Sequence, residues 1–133
     1  MEITKELLDN ATVIAVVGLS DSPTKISYIV ARYMQEHGYK IIPVNPTISQ
    51  SLGEKAYPSL RDIPGKVDIV NVFRRSEDVP PVAEDAIAIR AKGLWLQQGI
   101  TNDEAAKKAE AAGLKVVQDC CIMVEYARLA AGL

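Results

Sequence analysis

Histidine and cysteine, the side chains that many enzymes use as general bases, nucleophiles or metal ligands, are scarce in this chain. It has one histidine, His37, and two cysteines, Cys120 and Cys121, which are neighbours. Adjacent cysteines rarely bond to each other and cannot join distant parts of a fold. His37 ends a predicted helix on the side of the sheet opposite the expected site. The sequence therefore contains neither a catalytic constellation nor a metal-binding spacing, which favours binding over catalysis.

Nucleic-acid-binding and membrane proteins are disfavoured by the lack of net positive charge, of aromatic residues and of long apolar runs. The net charge is −2 and aromatic residues make up 5 %, which disfavours the positive surface and the stacking platforms of nucleic-acid-binding proteins. No apolar run approaches the roughly 20 residues that span a bilayer, and the N-terminus lacks a signal-peptide core. We therefore expect a cytoplasmic protein without nucleic-acid or membrane partners. The 133 residues predict a single domain, 1–133, in which residues 1–11 form a helix that packs on the rest.

The stretch from residue 12 to residue 28 organises the rest of the chain. Five consecutive apolar residues, Val13–Val17, predict a strand buried on both faces of a parallel sheet. Gly18 ends this run, and apolar residues at helical spacing follow a polar loop. A loop between a parallel strand and the N-terminus of a helix is typical of an anion site, because free N–H groups and the helix dipole favour negative charge.

Four further apolar segments, residues 40–46, 66–73, 94–97 and 114–118, alternate with helical or loop segments. The alternation predicts an α/β fold: a Rossmann-like, doubly wound, five-stranded parallel sheet with helices on both faces. We expect the strand order 3-2-1-4-5, with the topological switch between the first and fourth strands. A polar loop is predicted over residues 47–53.

The loop after the first strand lacks most of the dinucleotide-binding fingerprint, which is Gly-x-Gly-x-x-Gly with an acidic residue about 20 residues later. Only Gly18 matches, because Ser20 and Pro23 occupy the other glycine positions. The second strand ends at residues 44–46 without a carboxylate. These absences disfavour NAD, whereas the hydroxyl groups of the loop and the charge of Lys25 suit phosphate oxygens.

Six segments, in order, resemble the stand-alone CoA-binding domain proteins: residues 13–20, 27–28, 42–46, 52–57, 68–75 and 94–97. This family is similar to the N-terminal CoA-binding domain of the succinyl-CoA synthetase α subunit and of related acyl-CoA synthetases. The resemblance implies a Rossmann-like domain that takes coenzyme A or acyl-CoA, a small-molecule nucleotide ligand, in the loop after the first strand and at the adjacent strand ends. The synthetases carry their phosphorylated histidine in a further domain, so no ligase activity is implied for this chain alone.

The resemblance, together with the chemistry of the loop, implies a set of ligand-binding residues. Coenzyme A carries a diphosphate and a 3′-phosphate, for which Lys25, Arg74 and Arg75 are candidate cations. Phe73 and Trp95 could pack on adenine, although Trp95 is expected in the core. The implied cofactor-binding residues are Gly18, Leu19, Ser20, Lys25, Ser27, Tyr28, Val44, Asn45, Pro46, Val72, Phe73, Arg74, Arg75 and Gln97.

The chain departs from the family near its C-terminus. Relatives tend to have Asp-Arg-Cys-Pro-Lys where this chain has Asp-Cys-Cys-Ile-Met at residues 119–123. Cys121 matches the family's cysteine and precedes a predicted helix, whose N-terminus favours a thiolate; the alternative is a small buried apolar residue. Two other functions therefore stay open: a redox-responsive CoA-thiol protein that uses Cys121, and an NAD(P)-dependent oxidoreductase, which only the fold suggests.

Overall fold

The computed structural model describes residues 2–132. The strands are β1 (Val13–Val17), β2 (Lys40–Val44), β3 (Gln50–Ser51), β4 (Glu54–Lys55), β5 (Ile69–Val72), β6 (Gly93–Leu96) and β7 (Lys115–Val117). The α-helices are α1 (Ile3–Asn10), α2 (Ile26–Glu36), α3 (Val79–Ala88), α4 (Asp103–Ala111) and α5 (Ile122–Ala130), and Leu60–Asp62 and Ser76–Asp78 form single 3₁₀ turns. Five of the strands form one parallel sheet, which confirms the predicted Rossmann-like α/β class.

The central sheet separates two apolar layers, because successive side chains of a strand point to opposite faces. On one face, Ile14 and Val16 of β1 pack in a layer that includes buried residues of α1, α2 and α5. On the other face, Ala15 and Val17 pack in a layer that includes buried residues of α3 and α4. This double burial explains why β1 is an unbroken apolar run and not an alternating one.

The order of the strands differs from the predicted 3-2-1-4-5. The sheet runs β2-β1-β5-β6-β7, so the third long strand lies beside the first, in the interior. All four residues of β5 are buried, as an interior position requires. β2 occupies the edge instead, and no α-helix lies between it and β5. The topological switch therefore falls between β1 and β5, and not between the first and fourth long strands.

Pro43 fits the edge position of β2. Tyr57 N–H donates to the Pro43 carbonyl at 3.0 Å and Asn45 N–H donates to the Tyr57 carbonyl at 2.9 Å, on the side of β2 away from β1. The missing N–H of Pro43 therefore removes no hydrogen bond from the β1–β2 ladder.

The segment predicted as a polar loop over residues 47–53 contains half of an antiparallel hairpin, β3–β4. Its turn places Leu52 at φ 55° and Gly53 at φ 77°. Such a two-residue turn is normally predicted by Asn-Gly or Asp-Gly, because leucine is rare in the left-handed region. The sequence therefore carries no signal for this hairpin.

Three helices end in the same way. The residue after the C-cap has a left-handed backbone, and its N–H and the N–H of the next residue donate to carbonyl groups in the last turn of the helix. These residues are Gly38 after α2, Arg90 after α3 and Gly113 after α4. Glycine normally occupies this position in the Schellman motif, because it has no Cβ to clash. Arg90 adopts φ 57° at the same position and therefore carries a conformational strain that the other two helices avoid.

The start of β1 is fixed by the carboxylate of Asp68. Its Oδ2 accepts hydrogen bonds from Thr12 N–H at 2.8 Å and Val13 N–H at 2.9 Å, and Lys92 lies 3.4 Å from Oδ1. Burial alone would raise the pKa of Asp68, but these backbone donors and Lys92 outweigh it and hold the pKa below its ordinary value. No helix within residues 2–132 has the length and apolarity needed to cross a bilayer.

Candidate functional site

A cleft of about 990 Å³ opens at the carboxyl ends of β1, β5 and β6. It lies at the topological switch, where ligands of open parallel sheets bind. The turn after β1, the N-terminus of α2, the segment after β5, the loop after β6 and the residue before α5 all contribute to it. The lining residues are Gly18, Ser20, Lys25, Ile26, Ser27, Phe73, Arg74, Arg75, Ser76, Glu77, Gln97, Gln98, Gly99, Ile100 and Cys121.

Gly18 makes the turn after β1 possible by allowing two backbone segments to approach closely. Its φ is 90°, and a Cβ at this position would lie 2.4 Å from the carbonyl oxygen of Phe73. Phe73 N–H donates to the Val17 carbonyl at 2.8 Å, and Gly18 N–H donates to the Val44 carbonyl at 2.8 Å. The ends of β1, β2 and β5 are therefore tied together around a position that only glycine fills without strain.

The loop after β1 is held by three buried side chains from outside it. Ser27 Oγ accepts from Ser20 N–H at 3.0 Å, Ser51 Oγ donates to the Ser20 carbonyl at 2.8 Å, and Asn45 Nδ2 donates to the Leu19 carbonyl at 3.0 Å. Asn45 Oδ1 also accepts from Thr47 N–H at 3.0 Å. Asn45 is thus engaged within the protein, and the backbone of the loop is fixed before any ligand arrives.

Helix α2 begins at the cleft without a side-chain cap, and Lys25 is its N-cap residue. The first N–H groups of an uncapped helix lack intrahelical partners and carry a partial positive charge. Among the described residues, neither Lys25 nor Arg74 forms an ion pair, whereas Arg75 pairs with Glu77 and Asp78, each at 3.3 Å. The structure therefore distinguishes the two neighbouring arginines: the charge of Arg74 is available to an anion and that of Arg75 is already countered.

A buried polar cluster forms the inner end of the cleft. Gln97 Oε1 accepts hydrogen bonds from Asn71 Nδ2 at 3.0 Å and from Ile122 N–H, the first of α5, at 2.9 Å. Trp95 is fully buried, as expected, and its Nε1 donates to the Cys120 carbonyl at 2.8 Å. Burial, followed by the charge of Glu125, raises the pKa of the Cys120 thiol. Both cysteines pack against the apolar layer, and Cys121 also lines the cleft.

Nine of the fifteen residues implied from the sequence line the cleft, including Cys121; the others lie elsewhere. Leu19 and Val72 are fully buried in the core, and Asn45 is buried beneath the loop. Tyr28 faces a shallow depression between α2 and α5. Val44 and Pro46 line a smaller cavity of about 200 Å³ with Pro58 and Val82, and Arg74 lines both this cavity and the cleft.

The sequence did not single out six residues that line the cleft, most of them in the loop after β6 or directly after Arg75. The missed lining residues are Ile26, Ser76, Glu77, Gln98, Gly99 and Ile100. The position of the loop after β6 itself agrees with a parallel sheet, in which every loop that follows a strand opens at the same edge. His37 lies exposed at the opposite end of α2 from the cleft, with its ring centroid 4.1 Å from that of Tyr33.

Comparisons with known proteins relate the chain to others by sequence and by fold. The chain is 51 % identical over 123 residues to the uncharacterized protein YneT of Bacillus subtilis, covering 92 % of this chain and 91 % of that protein. A hypothetical protein from Pyrococcus horikoshii OT3 superposes with a TM-score of 0.93 at 40 % identity, covering 98 % of this chain and 93 % of that one. An ADP-forming acetate–CoA ligase II of Archaeoglobus fulgidus is 31 % identical over 99 residues, which span 73 % of this chain but only 15 % of the ligase.

A profile described as "CoA binding domain" matches residues 12–127, from the start of β1 to within α5. The match therefore includes all five strands of the sheet and every element that lines the cleft. This chain belongs to the CoA-binding domain family.

Proposed function

We propose that this protein binds coenzyme A or acyl-CoA in the cleft between β1, β5 and β6. One observation supports this most directly: in a member of the CoA-binding domain family, the uncapped N-terminus of α2 lies at the topological switch, and Lys25 and Arg74, which form no ion pair within residues 2–132, line the same cleft. Fixed N–H donors with one or two cations suit the diphosphate and 3′-phosphate of coenzyme A.

The two cavities suggest how the ligand is oriented. The diphosphate lies against the N-terminus of α2 beside Lys25. The adenine enters the smaller cavity, whose walls include the apolar side chains of Pro46, Pro58 and Val82. Arg74, which lines both cavities, contacts the 3′-phosphate. The pantetheine arm then passes Phe73 and reaches the inner end of the cleft.

The contacts of Asn45 argue against the nicotinamide alternative. At the end of the second strand, where dinucleotide-binding domains place a carboxylate for the ribose hydroxyls, this chain has an amide that bonds Leu19 and Thr47 within the protein. No acidic side chain replaces it at that position. We therefore expect NAD and NADP to bind much more weakly than coenzyme A.

Isothermal titration calorimetry tests the proposal. Wild-type protein should bind coenzyme A saturably, and Lys25→Ala and Arg74→Ala should each weaken binding about tenfold or more, as for a lost charge-assisted hydrogen bond. Arg75→Ala is the matched control, because that side chain is already paired, and we expect about a twofold effect at most. Dephospho-CoA, which lacks the 3′-phosphate, should bind wild type and Arg74→Ala alike. Absence of saturable binding up to millimolar coenzyme A would refute the proposal.

A second candidate, a thiol–disulfide role, is favoured by the position of Cys121 in the cleft wall. The Cys121 thiolate would attack the disulfide of oxidised coenzyme A, form a mixed disulfide and release one coenzyme A thiolate. Mass spectrometry after incubation with coenzyme A disulfide should then show one added CoA group in wild type and Cys120→Ser, but none in Cys121→Ser. An unmodified wild-type mass excludes this role and leaves reversible binding unaffected.

A further inference from the structure

Gln97 presents an unused donor group, its side-chain NH₂, to the cleft from an otherwise buried position. The residue is 4 % exposed, and its side-chain oxygen is identified by its neighbour: Ile122 N–H, 2.9 Å away, can only donate. The amide nitrogen, Nε2, has no partner among the described residues. Since no fully buried side-chain nitrogen or oxygen in residues 2–132 lacks a partner, Nε2 is reached from the cleft that Gln97 lines.

The orientation of this amide is fixed, because both hydrogen bonds to its oxygen come from buried groups. Asn71 Nδ2 and Ile122 N–H hold Oε1 toward the protein, and reversing the amide would set its NH₂ group against two donors. The inner end of the cleft therefore offers a donor from Gln97 that cannot become an acceptor. A ligand that covers this donor without pairing it loses free energy, so the site favours a ligand that brings an acceptor to this point.

Of the polar groups on the pantetheine arm and its end, a thioester carbonyl suits this donor best. The secondary amides of the pantetheine arm carry an N–H beside each carbonyl and need an acceptor as well as a donor. A free thiol is only a weak acceptor. A thioester carbonyl accepts and has nothing to donate, and it lies at the end of the arm that extends farthest from the phosphates. Cys121 lies in the wall here, and Phe73 and Ile100 supply apolar surface for the rest of an acyl group.

We propose that the cleft selects acyl-CoA over free coenzyme A, with Gln97 Nε2 donating a hydrogen bond to the thioester carbonyl oxygen. This inference rests on the proposed function and specifies the class of ligand that the same site takes. Gln97 acts as a specificity-determining residue, whereas Lys25 and Arg74 contact phosphates that coenzyme A and acyl-CoA share.

Three ligands distinguish binding in the cleft from recognition of the thioester by Gln97: coenzyme A, acetyl-CoA and S-ethyl-CoA. Acetyl-CoA and S-ethyl-CoA have the same chain length and differ only in that two hydrogens replace the carbonyl oxygen. In calorimetric titrations, wild type should bind acetyl-CoA about tenfold more tightly than S-ethyl-CoA, which leaves Nε2 unpaired. Equal affinities for the two would overturn the role of Gln97, and failure of all three to bind would overturn the proposed function itself.

Gln97→Glu is the sharpest variant, because a carboxylate keeps an oxygen for Asn71 and Ile122 while removing the donor that faces the cleft. The preference for acetyl-CoA over S-ethyl-CoA should then fall to about twofold or less. Lys25→Ala is the matched control: it should weaken both ligands by the same factor and leave the preference intact. A tenfold preference that survives in Gln97→Glu contradicts the assignment. If this variant does not fold, the wild-type comparison of acetyl-CoA with S-ethyl-CoA decides alone.

Discussion

Replacing Gly18 by alanine should destabilise the protein more than any other single methyl group added to a left-handed glycine in the chain. The new Cβ would lie 2.4 Å from the Phe73 carbonyl oxygen, a backbone atom that belongs to the end of β5. Side-chain rotation cannot relieve this contact. The turn must move away from Phe73, which weakens the hydrogen bond from Phe73 N–H to the Val17 carbonyl.

Gly38→Ala provides the control that separates steric overlap from conformational strain. Gly38 has a φ of 98°, close to the 90° of Gly18, but a Cβ there meets nothing within 4 Å. We expect Gly38→Ala to cost about 1 to 2 kcal/mol, the strain of an alanine in the left-handed region. Gly18→Ala should cost the same strain plus about 1 to 3 kcal/mol for overpacking, and so about 2 to 5 kcal/mol in total.

Equilibrium urea unfolding can measure the difference with an intrinsic probe. Trp95 is the single tryptophan of the chain and is fully buried, so its emission should shift to longer wavelength on unfolding. The free energy of unfolding is typically about 5 to 15 kcal/mol, within which a loss of this size is easily resolved. If Gly18→Ala and Gly38→Ala lose the same stability, the close approach to Phe73 is not what requires glycine at residue 18.

Three further predictions concern stability. Arg90→Gly should raise the free energy of unfolding by up to about 1 kcal/mol, measured by urea titration, because it relieves the left-handed strain at the end of α3; a loss of stability would contradict the strain. Because its pKa is lowered, ionised Asp68 stabilises the fold above the ordinary carboxyl pKa of about 3.9, and this contribution disappears as pH falls through the folded-state pKa. Urea midpoints measured from pH 7 to pH 3 should therefore fall less steeply in Asp68→Asn than in wild type. A Cβ at Gly93 would lie 2.7 Å from a terminal methyl of Leu7. The double variant Gly93→Ala with Leu7→Ala should therefore lose less unfolding free energy than the sum of the losses of the two single variants. Additive losses would argue against this contact.

The sequence predicted the elements well wherever a local pattern determines them. The last helix begins at Ile122 as expected, and Asn102 caps α4 by accepting a hydrogen bond from Ala105 N–H at 3.0 Å. Capping residues and apolar spacing act over a few positions, so a single sequence carries them. The neighbours of each strand are a different kind of information. The apolar run of β5 indicates burial on both faces, yet it does not say which strand lies on either side.

The candidate site was predictable at the level of strand ends but not of side-chain direction. Gly18 and Phe73 line the cleft, whereas Leu19 and Val72, their neighbours in the sequence, are buried in the core. The hydrogen bonds that hold the loop after β1 could not be predicted either. Ser51 contacts Ser20 across 31 positions, and it lies in a hairpin that has no turn signal in the sequence. Such long-range hydrogen bonds depend on the completed fold.

The interior position of β1 also has a consequence for synthesis on the ribosome. β1 can pair with β2 soon after both emerge, but its other edge waits for β5, and Val13 is separated from Asp68 by 55 positions. At a translation rate of about 5 to 20 residues per second, this edge stays open for roughly 3 to 11 s. An unpaired valine-rich strand is prone to join other chains during such an interval. The nascent protein therefore passes through a stage in which shielding by a chaperone would benefit it most.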